Sequence, residues 1–229
     1  TIPEAKSVRG DLGIVGAPGF RIGVGQPDLL VEKPLSYFPK STPNLQQAFR
    51  IREREWQGTM TVELLEKSVQ ADVFHLYSLN NRTAFASVIL NFFVTGAPVS
   101  EWQLSVPEEF GNVMIDGQDV RTWRREGETI FVSLHQPVIG SHTLLVTYEE
   151  EMDGDPIQPG RVAPIDVAGE RGVIHVVSPV QVETQATPSE NLLQLDALAL
   201  PAEFRLLTSA PPLEPFQYTA RPFTLDLTA

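Results

Sequence analysis

The sequence contains no cysteine, which removes disulfides, thiolate metal sites and cysteine nucleophiles from consideration. Positive charge is scarce as well. Seventeen Lys and Arg stand against 29 Asp and Glu, giving a formal net charge of −12 and an isoelectric point near 4.7. Such a surface repels phosphate backbones, so nucleic acid is not expected as a partner, and an anionic membrane surface is a poor one. No apolar run reaches the roughly 18 residues that a bilayer-spanning helix requires, so no membrane insertion of this segment is expected. Helical periodicity is almost missing; the one short helical turn expected lies at Thr42–Gln47, capped by Ser41 or Thr42.

The motifs of the common enzymes are missing too. There is no G-x-S-x-G elbow and no phosphate loop; the Gly-rich stretch from Gly10 to Gly25 lacks the Lys-Ser/Thr pair that would hold phosphate and Mg²⁺. The four histidines, His75, His135, His142 and His175, show neither H-x-x-x-H nor H-E-x-x-H spacing. We therefore expect no enzyme and no cofactor.

What is present is strand. The chain has 229 residues, 42 % of them hydrophobic, and its 19 prolines and 16 glycines are spread along it as punctuation between short elements. Thr59–Leu64 alternates polar and apolar residues and reads as a half-buried strand. Ala84, Ala86, Val88, Leu90, Phe92 and Val94 share one face of a longer strand, with Phe85, Ser87, Ile89, Asn91 and Phe93 on the other, so both faces are expected to be at least partly covered. From Trp102 onward short runs continue as an antiparallel meander: a hairpin expected at Asp116-Gly117, a turn at Glu126-Gly127, and strands at Ile130–Leu134 and Thr143–Tyr148. The fold class expected is all-β, an antiparallel sandwich, which becomes an extended super-sandwich if the flanking units pair with the meander, a choice the sequence leaves open.

The two ends of the chain resemble each other. Arg9-Gly10 followed by an apolar strand matches Arg171-Gly172. Leu29–Glu32 matches Leu192–Asp196, with Val180–Glu183 before it. Leu35–Pro39 matches Leu198–Pro201, and Gln47–Arg52 matches Phe216–Thr219. Thr61-Val62-Glu63-Leu64 matches Thr224-Leu225-Asp226-Leu227. The offset is 162 at Arg9/Arg171 and at Pro39/Pro201, and 163 at Thr61/Thr224. The layout expected is a β unit (1–66), a meander (67–150), an acidic Pro/Gly linker (151–165) and the β unit again (166–229), as in a tandem array of period about 160. The sequence begins at Thr1 without an initiator Met, so a processed form or a fragment of a longer protein is expected, and the repeat favours the fragment.

This order of motifs resembles the repeated β-sandwich segments of very large bacterial envelope proteins, usually left as domains of unknown function. The residues that carry the resemblance are Val113–Leu134, the Arg-Gly strand Arg171–Val177, and Leu200-Pro201 followed by Arg221-Pro222 and Thr224–Leu227. The resemblance implies an extracytoplasmic (periplasmic or cell-surface) structural module. Its partners would be neighbouring modules of the parent protein, or a protein or glycan, and it transfers no catalytic residue. The meander also loosely resembles the β-sandwich that precedes the catalytic domain of zinc aminopeptidases, although no zinc motif follows it here.

Several residues are candidates for binding. Trp56 and Trp123 are the candidate ligand-binding residues of a carbohydrate-binding module, which stacks exposed aromatic faces on sugar rings; Trp102 and Tyr77 share the chemistry. His135 and His142 flank an expected turn and could face each other as Zn²⁺ ligands, and Asp153 and Asp155 beside Glu149–Glu151 offer oxygen ligands suited to Ca²⁺. Asp116 and Glu128 are a nominal carboxylate pair, but both sit where turns need them. Asn81-Arg82-Thr83 fits a glycosylation sequon.

Overall fold

Strand-forming residues alternate through most of the chain, and the structure follows them. A computed structural model describes residues 8–80, 82–152, 156–178, 185–189, 191–196 and 212–228. Expectations attached to Asn81, Asp153, Asp155, Val180–Glu183 and Leu198–Pro201 lie outside the described residues. The protein is all-β and sandwich-like, with a single 3-10 turn at Leu35–Tyr37 among the described residues. It divides into two compact units. One reaches to Lys67 and takes in Gly96–Pro98; the other holds Ser68–Thr95 and the chain from Val99 onward.

The first unit contains β1 (Gly10–Val15), β2 (Phe20–Asp28), β3 (Leu30–Lys33), β4 (Leu45–Ile51) and β5 (Gln57–Leu64). They form a sheet in the order β1-β4-β3 and a separate pair β2-β5. The Gln46 and Gln47 side chains of β4 reach across to β2, where they accept the N–H groups of Ile22 and Val24 at 2.7 and 3.1 Å. Ile14, Leu30 and Phe49 make its small buried core.

The second unit contains β6 (Ser68–Leu79), β7 (Thr83–Ser105), β8 (Gly111–Gly117), β9 (Val120–Glu126), β10 (Thr129–Glu151) and β11 (Ala163–Pro164). After these come β12 (Gly169–Val177), β13 (Gln185–Pro188), β14 (Leu192–Gln194), β15 (Pro212–Tyr218) and β16 (Leu225–Thr228). The main sheet runs β14-β15-β12-β6-β7-β10-β8, with β9 on β10, β11 on β7, and β13-β16 as a separate pair. All pairings are antiparallel except β6 with β12, which run parallel in nine unbroken rungs from Gln70/Gly169 to Ser78/Val177. In β7 the face bearing Ala84, Ala86, Val88, Leu90, Phe92 and Val94 is buried. Phe92 and Trp102 lie ten residues apart on this strand yet stack at 3.9 Å, where a straight strand would hold them about 33 Å apart. The strand therefore folds over on itself near Gly96, whose φ is +75°, and its two halves bury one core between them.

The structure departs from the sequence reading in several places. Thr42–Gln47 is not helical: Asn44 adopts φ 56° and turns the chain directly into β4. Asp116-Gly117 does not make a hairpin. It ends β8, and β8 and β9 run in the same sense along β10, antiparallel to its two halves. A Cβ on Gly117 would lie 2.8 Å from the Thr143 carbonyl and from Leu144, so this glycine permits close approach rather than reversal. The turn at Gly127 does form, at φ 60°. Described parts of the expected 151–165 linker are built into the fold: Glu151 pairs with β7, Ala163–Pro164 pair with its far end, Ile157 bridges Leu227, and Ile157 and Val162 are buried. The sequence leaves open whether residues 166–229 pack onto the meander; in the structure β12 docks on β6 and the later described strands belong to the same compact unit.

One pattern of pairing occurs twice. In the first unit Ile51 of β4 faces Gly10 of β1 on one side and Leu30 of β3 on the other. In the second, Tyr218 of β15 faces Gly172 of β12 and Leu192 of β14. The outer strands keep the 162-residue offset and the middle strand is shifted by 167, and every rung of β12-β15 and β14-β15 coincides with one in the first unit. β1-β4 breaks register between Ile14 and Val15, and β12-β15 breaks it between His175 and Val177, a span that includes the corresponding positions. β2-β5 likewise corresponds to β13-β16, with Leu64 opposite Phe20 and Leu227 opposite Ala186.

The glycine of the Arg-Gly motif is explained by these contacts. A Cβ on Gly172 would run into the Val73 carbonyl of β6 and sit 2.6 Å from the Tyr218 ring, whereas one on Gly10 would meet nothing within 4 Å. Gly172→Ala is expected to lower stability by about 1–3 kcal/mol and Gly10→Ala by less than ~0.5 kcal/mol, measured by urea unfolding.

Candidate functional site

Of the aromatic residues singled out from sequence, two are placed for contact with a partner. Trp56, in the segment before β5, and Trp123, on β9, are each 37 % exposed, and they belong to different compact units. Trp123 sits beside Arg124, whose guanidinium lies 4.2 Å over the Phe131 ring and bonds Glu101 at 2.9 Å. Trp102 and Tyr77 are buried core residues and offer no stacking face. His135 and His142 do not form a site. The expected turn between them is continuous β10 strand, His135 points to solvent, and buried His142 binds the Gln118 carbonyl through Nε2 at 2.8 Å. Among the described residues no three His, Asp or Glu side chains are grouped as metal ligands. Asp116 and Glu128 are both exposed, and Asp116 Oδ1 accepts the Gly117 N–H at 2.8 Å.

Two further arrangements were not visible in the sequence. The first is a shallow groove of about 690 Å³ over the outer face of β6, β7, β10 and β12. Arg171 grips Asp72 with two hydrogen bonds, 2.6 and 2.9 Å, and holds that carboxyl below the usual carboxylate range. Asn91 accepts the Thr143 hydroxyl at 2.7 Å, and Phe93 stands exposed among these polar groups. An aromatic face edged by amide, carboxylate and guanidinium groups suits a polar polymer, peptide or glycan, and provides no nucleophile paired with a base. Asn91 and Phe93 lie on the face of β7 opposite Ala84–Val94, which its aromatic residues lead one to expect partly covered, yet Phe85 and Phe93 stand exposed there.

The second is a buried polar chain joining three strands and the 160–162 segment. His75 Nε2 lies 3.2 Å from the Tyr218 hydroxyl, which donates to Glu170 at 2.7 Å. Arg221 holds both Glu170 oxygens through Nε at 2.9 Å and spans to the Gly160 and Val162 carbonyls at 2.9 and 3.1 Å. Nearby, the Tyr77 and Tyr148 hydroxyls bond each other, and Tyr77 accepts the Gly160 N–H at 3.1 Å. Burial pushes all three tyrosines well above their ordinary pKa. Burial, with the Arg221 charge adding to it, drops His75 to about 3; burial also lowers His175. A neutral, fully enclosed imidazole bonded to a neutral tyrosine reaches no substrate. The chain ties β6, β12 and β15 together.

No protein-family description matches this chain, and no curated protein does. Solved structures align with part of it. They include a mutant two-domain M1 zinc metallopeptidase bound to L-tryptophan, at TM-score 0.44, 16 % identity, covering 71 % of this chain and 42 % of that one. The M1 zinc metallopeptidase from Deinococcus radiodurans aligns at TM-score 0.42 and 16 % identity, with the same coverage. The chain thus spans less than half the length of these proteins.

The buried histidine has a measurable consequence. Its folded pKa lies below that of the unfolded chain, so the unfolded state takes up the proton first as pH falls. The stability held by neutral His75 is fully present above about pH 6.5 and declines by ~1.4 kcal/mol per pH unit toward about pH 3. Unfolding curves from pH 7 to 4 should show His75→Gln with a shallower loss than the parent chain; identical slopes would refute the assignment.

Proposed function

We propose that the chain is a non-catalytic structural or protein-interaction module of a larger extracytoplasmic protein. The observation that carries this reading is the strand pairing that occurs twice with the same registers. A duplicated unit whose second copy is sewn into a meander is the grammar of a repeating array, where function lies in spacing and in surfaces between units. The extracytoplasmic placement rests on the resemblance of the motif order to envelope proteins. The buried polar chain supports the same reading, because the His75, Tyr218, Glu170 and Arg221 side chains are bonded to one another.

A carbohydrate-binding module is the second reading, favoured by the half-exposed Trp123 and Trp56 and by Phe93 in its polar groove. A glycan array probed with the purified chain, with and without Ca²⁺, separates the two. The architectural reading predicts no binding in either condition. Capture of one polysaccharide class, weakened at least about tenfold by Trp123→Ala or Trp56→Ala, as loss of a stacking contact would do, would replace it with a lectin-like role.

A further inference from the structure

The two copies of the repeated unit are folded alike but covered differently. In the second copy, Val177 is 1 % exposed and Leu225 and Leu227 are 0 % and 2 % exposed. Their counterparts in the first copy, Val15, Val62 and Leu64, are 50 %, 64 % and 69 % exposed. Residues that face the unit's own small core behave identically in both: Ile14, Leu30 and Phe49 are buried, as are Val176, Leu192 and Phe216. The largest differences lie where the meander sits; at the margin of the small core, Leu12 and Ile51 are half-buried where Ile174 and Tyr218 are buried. β12 is covered by β6, and β16 by the segment at Ile157, which exchanges backbone hydrogen bonds with Leu227 at 3.0 and 2.9 Å. β1 is an edge strand and β5 belongs to a two-stranded sheet with Met60, Val62 and Leu64 exposed along one face. Thr59–Leu64 is thus a strand with a half-buried pattern and, among the described residues, nothing that buries it.

We infer that the first unit is a seat for a second meander of the same kind as residues 68–165, bound along β1 and against the apolar face of β5. The inference rests on the architectural reading and names the partner. The second copy supplies the details. A β6-like strand would run parallel to β1, in register with Gly10–Val15 as Val73–Ser78 are with Gly172–Val177. Gly10, which has open space where Gly172 has the Val73 carbonyl, would then meet that backbone. Arg9 stands where Arg171 grips Asp72, ready for the matching carboxylate. Leu64 would take the place of Leu227 against an Ile157-like segment. An open edge beside an apolar strip is a combination that folded proteins ordinarily cover, and here the second half of the same chain shows what covers it.

The absence of cysteine makes the test direct. A copy of residues 68–162 is placed immediately before Thr1, which preserves the 162-residue spacing, and Leu64→Cys is introduced in the chain with and without this addition. Thiol-reagent labelling should be fast in the chain and slower by at least about tenfold in the extended form, with amide exchange at Asp11–Val15 slowed in parallel. Gly10→Ala should be silent in the chain and destabilising in the extended form. An added copy that stays unfolded, one that leaves Leu64→Cys equally reactive, or a chain in which Leu64→Cys is already protected, would each overturn the seat. None of these results touches the architectural reading, which stands or falls on glycan capture.

Discussion

The parallel pairing of β6 with β12 holds the larger unit together. It places nine consecutive rungs at the middle of the main sheet, with β15 and β14 hung from one side and β7, β10 and β8 from the other. Interior strands of this kind are covered on both sides, and β12 reads accordingly: Ile174, Val176 and Val177 are all buried, along with His175. The ends of the pairing are pinned by polar contacts. Arg171 and Asp72 meet at the outer face near its start, and the Ser178 hydroxyl donates to the Leu79 carbonyl at its close, 3.2 Å away. Behind the strands, Glu170, Arg221 and Tyr218 form a charge-assisted lattice in which the partly buried carboxylate is fully accounted for.

Comparison of the two matching sets of strands separates what the shared pairing needs from what the β6–β12 contact needs. The apolar positions Ile14/Val176, Leu30/Leu192 and Phe49/Phe216 are kept in kind. Tyr218 is matched by Ile51 and Glu170 by Val8, so the polar lattice belongs to one copy alone. The pairing pattern therefore does not depend on it. Backbone register and apolar burial are enough to define the unit, and the lattice adds specificity to one docking.

Legibility of this fold from sequence followed the range of the interaction. The Ala84–Val94 face, the Gly127 turn and the paired ends of the chain are local or repetitive signals, and alternation or offset exposes them. The Asp116-Gly117 turn was misread because the same dipeptide serves reversal and close packing equally well, and only the Thr143 carbonyl across the strand distinguishes them. The 151–165 segment looks like a linker by composition, yet Ile157 and Val162 are enough to anchor it. The fold-back that stacks Phe92 on Trp102 breaks a strand that alternation reads as straight, and the parallel rungs and the His75–Tyr218–Glu170–Arg221 chain bring together residues from separate strands that no window of sequence contains. Trp123 and Trp56 were identifiable as aromatic residues in polar surroundings, whereas the groove around Phe93 needed the sheet to exist first.

The separation between β6 and β12 also sets a timetable. Asp72 and Arg171 are 99 residues apart, and a ribosome adding about 5–20 residues per second needs roughly 5–20 s to make that stretch. Hairpins and meanders close in microseconds to milliseconds, so β6, β7 and β10 are joined long before β12 exists. For the roughly 1–4 s between the end of β10 at Glu151 and the start of β12 at Gly169, the nascent protein carries a finished meander with one bare strand edge, waiting for the strand that will seal it.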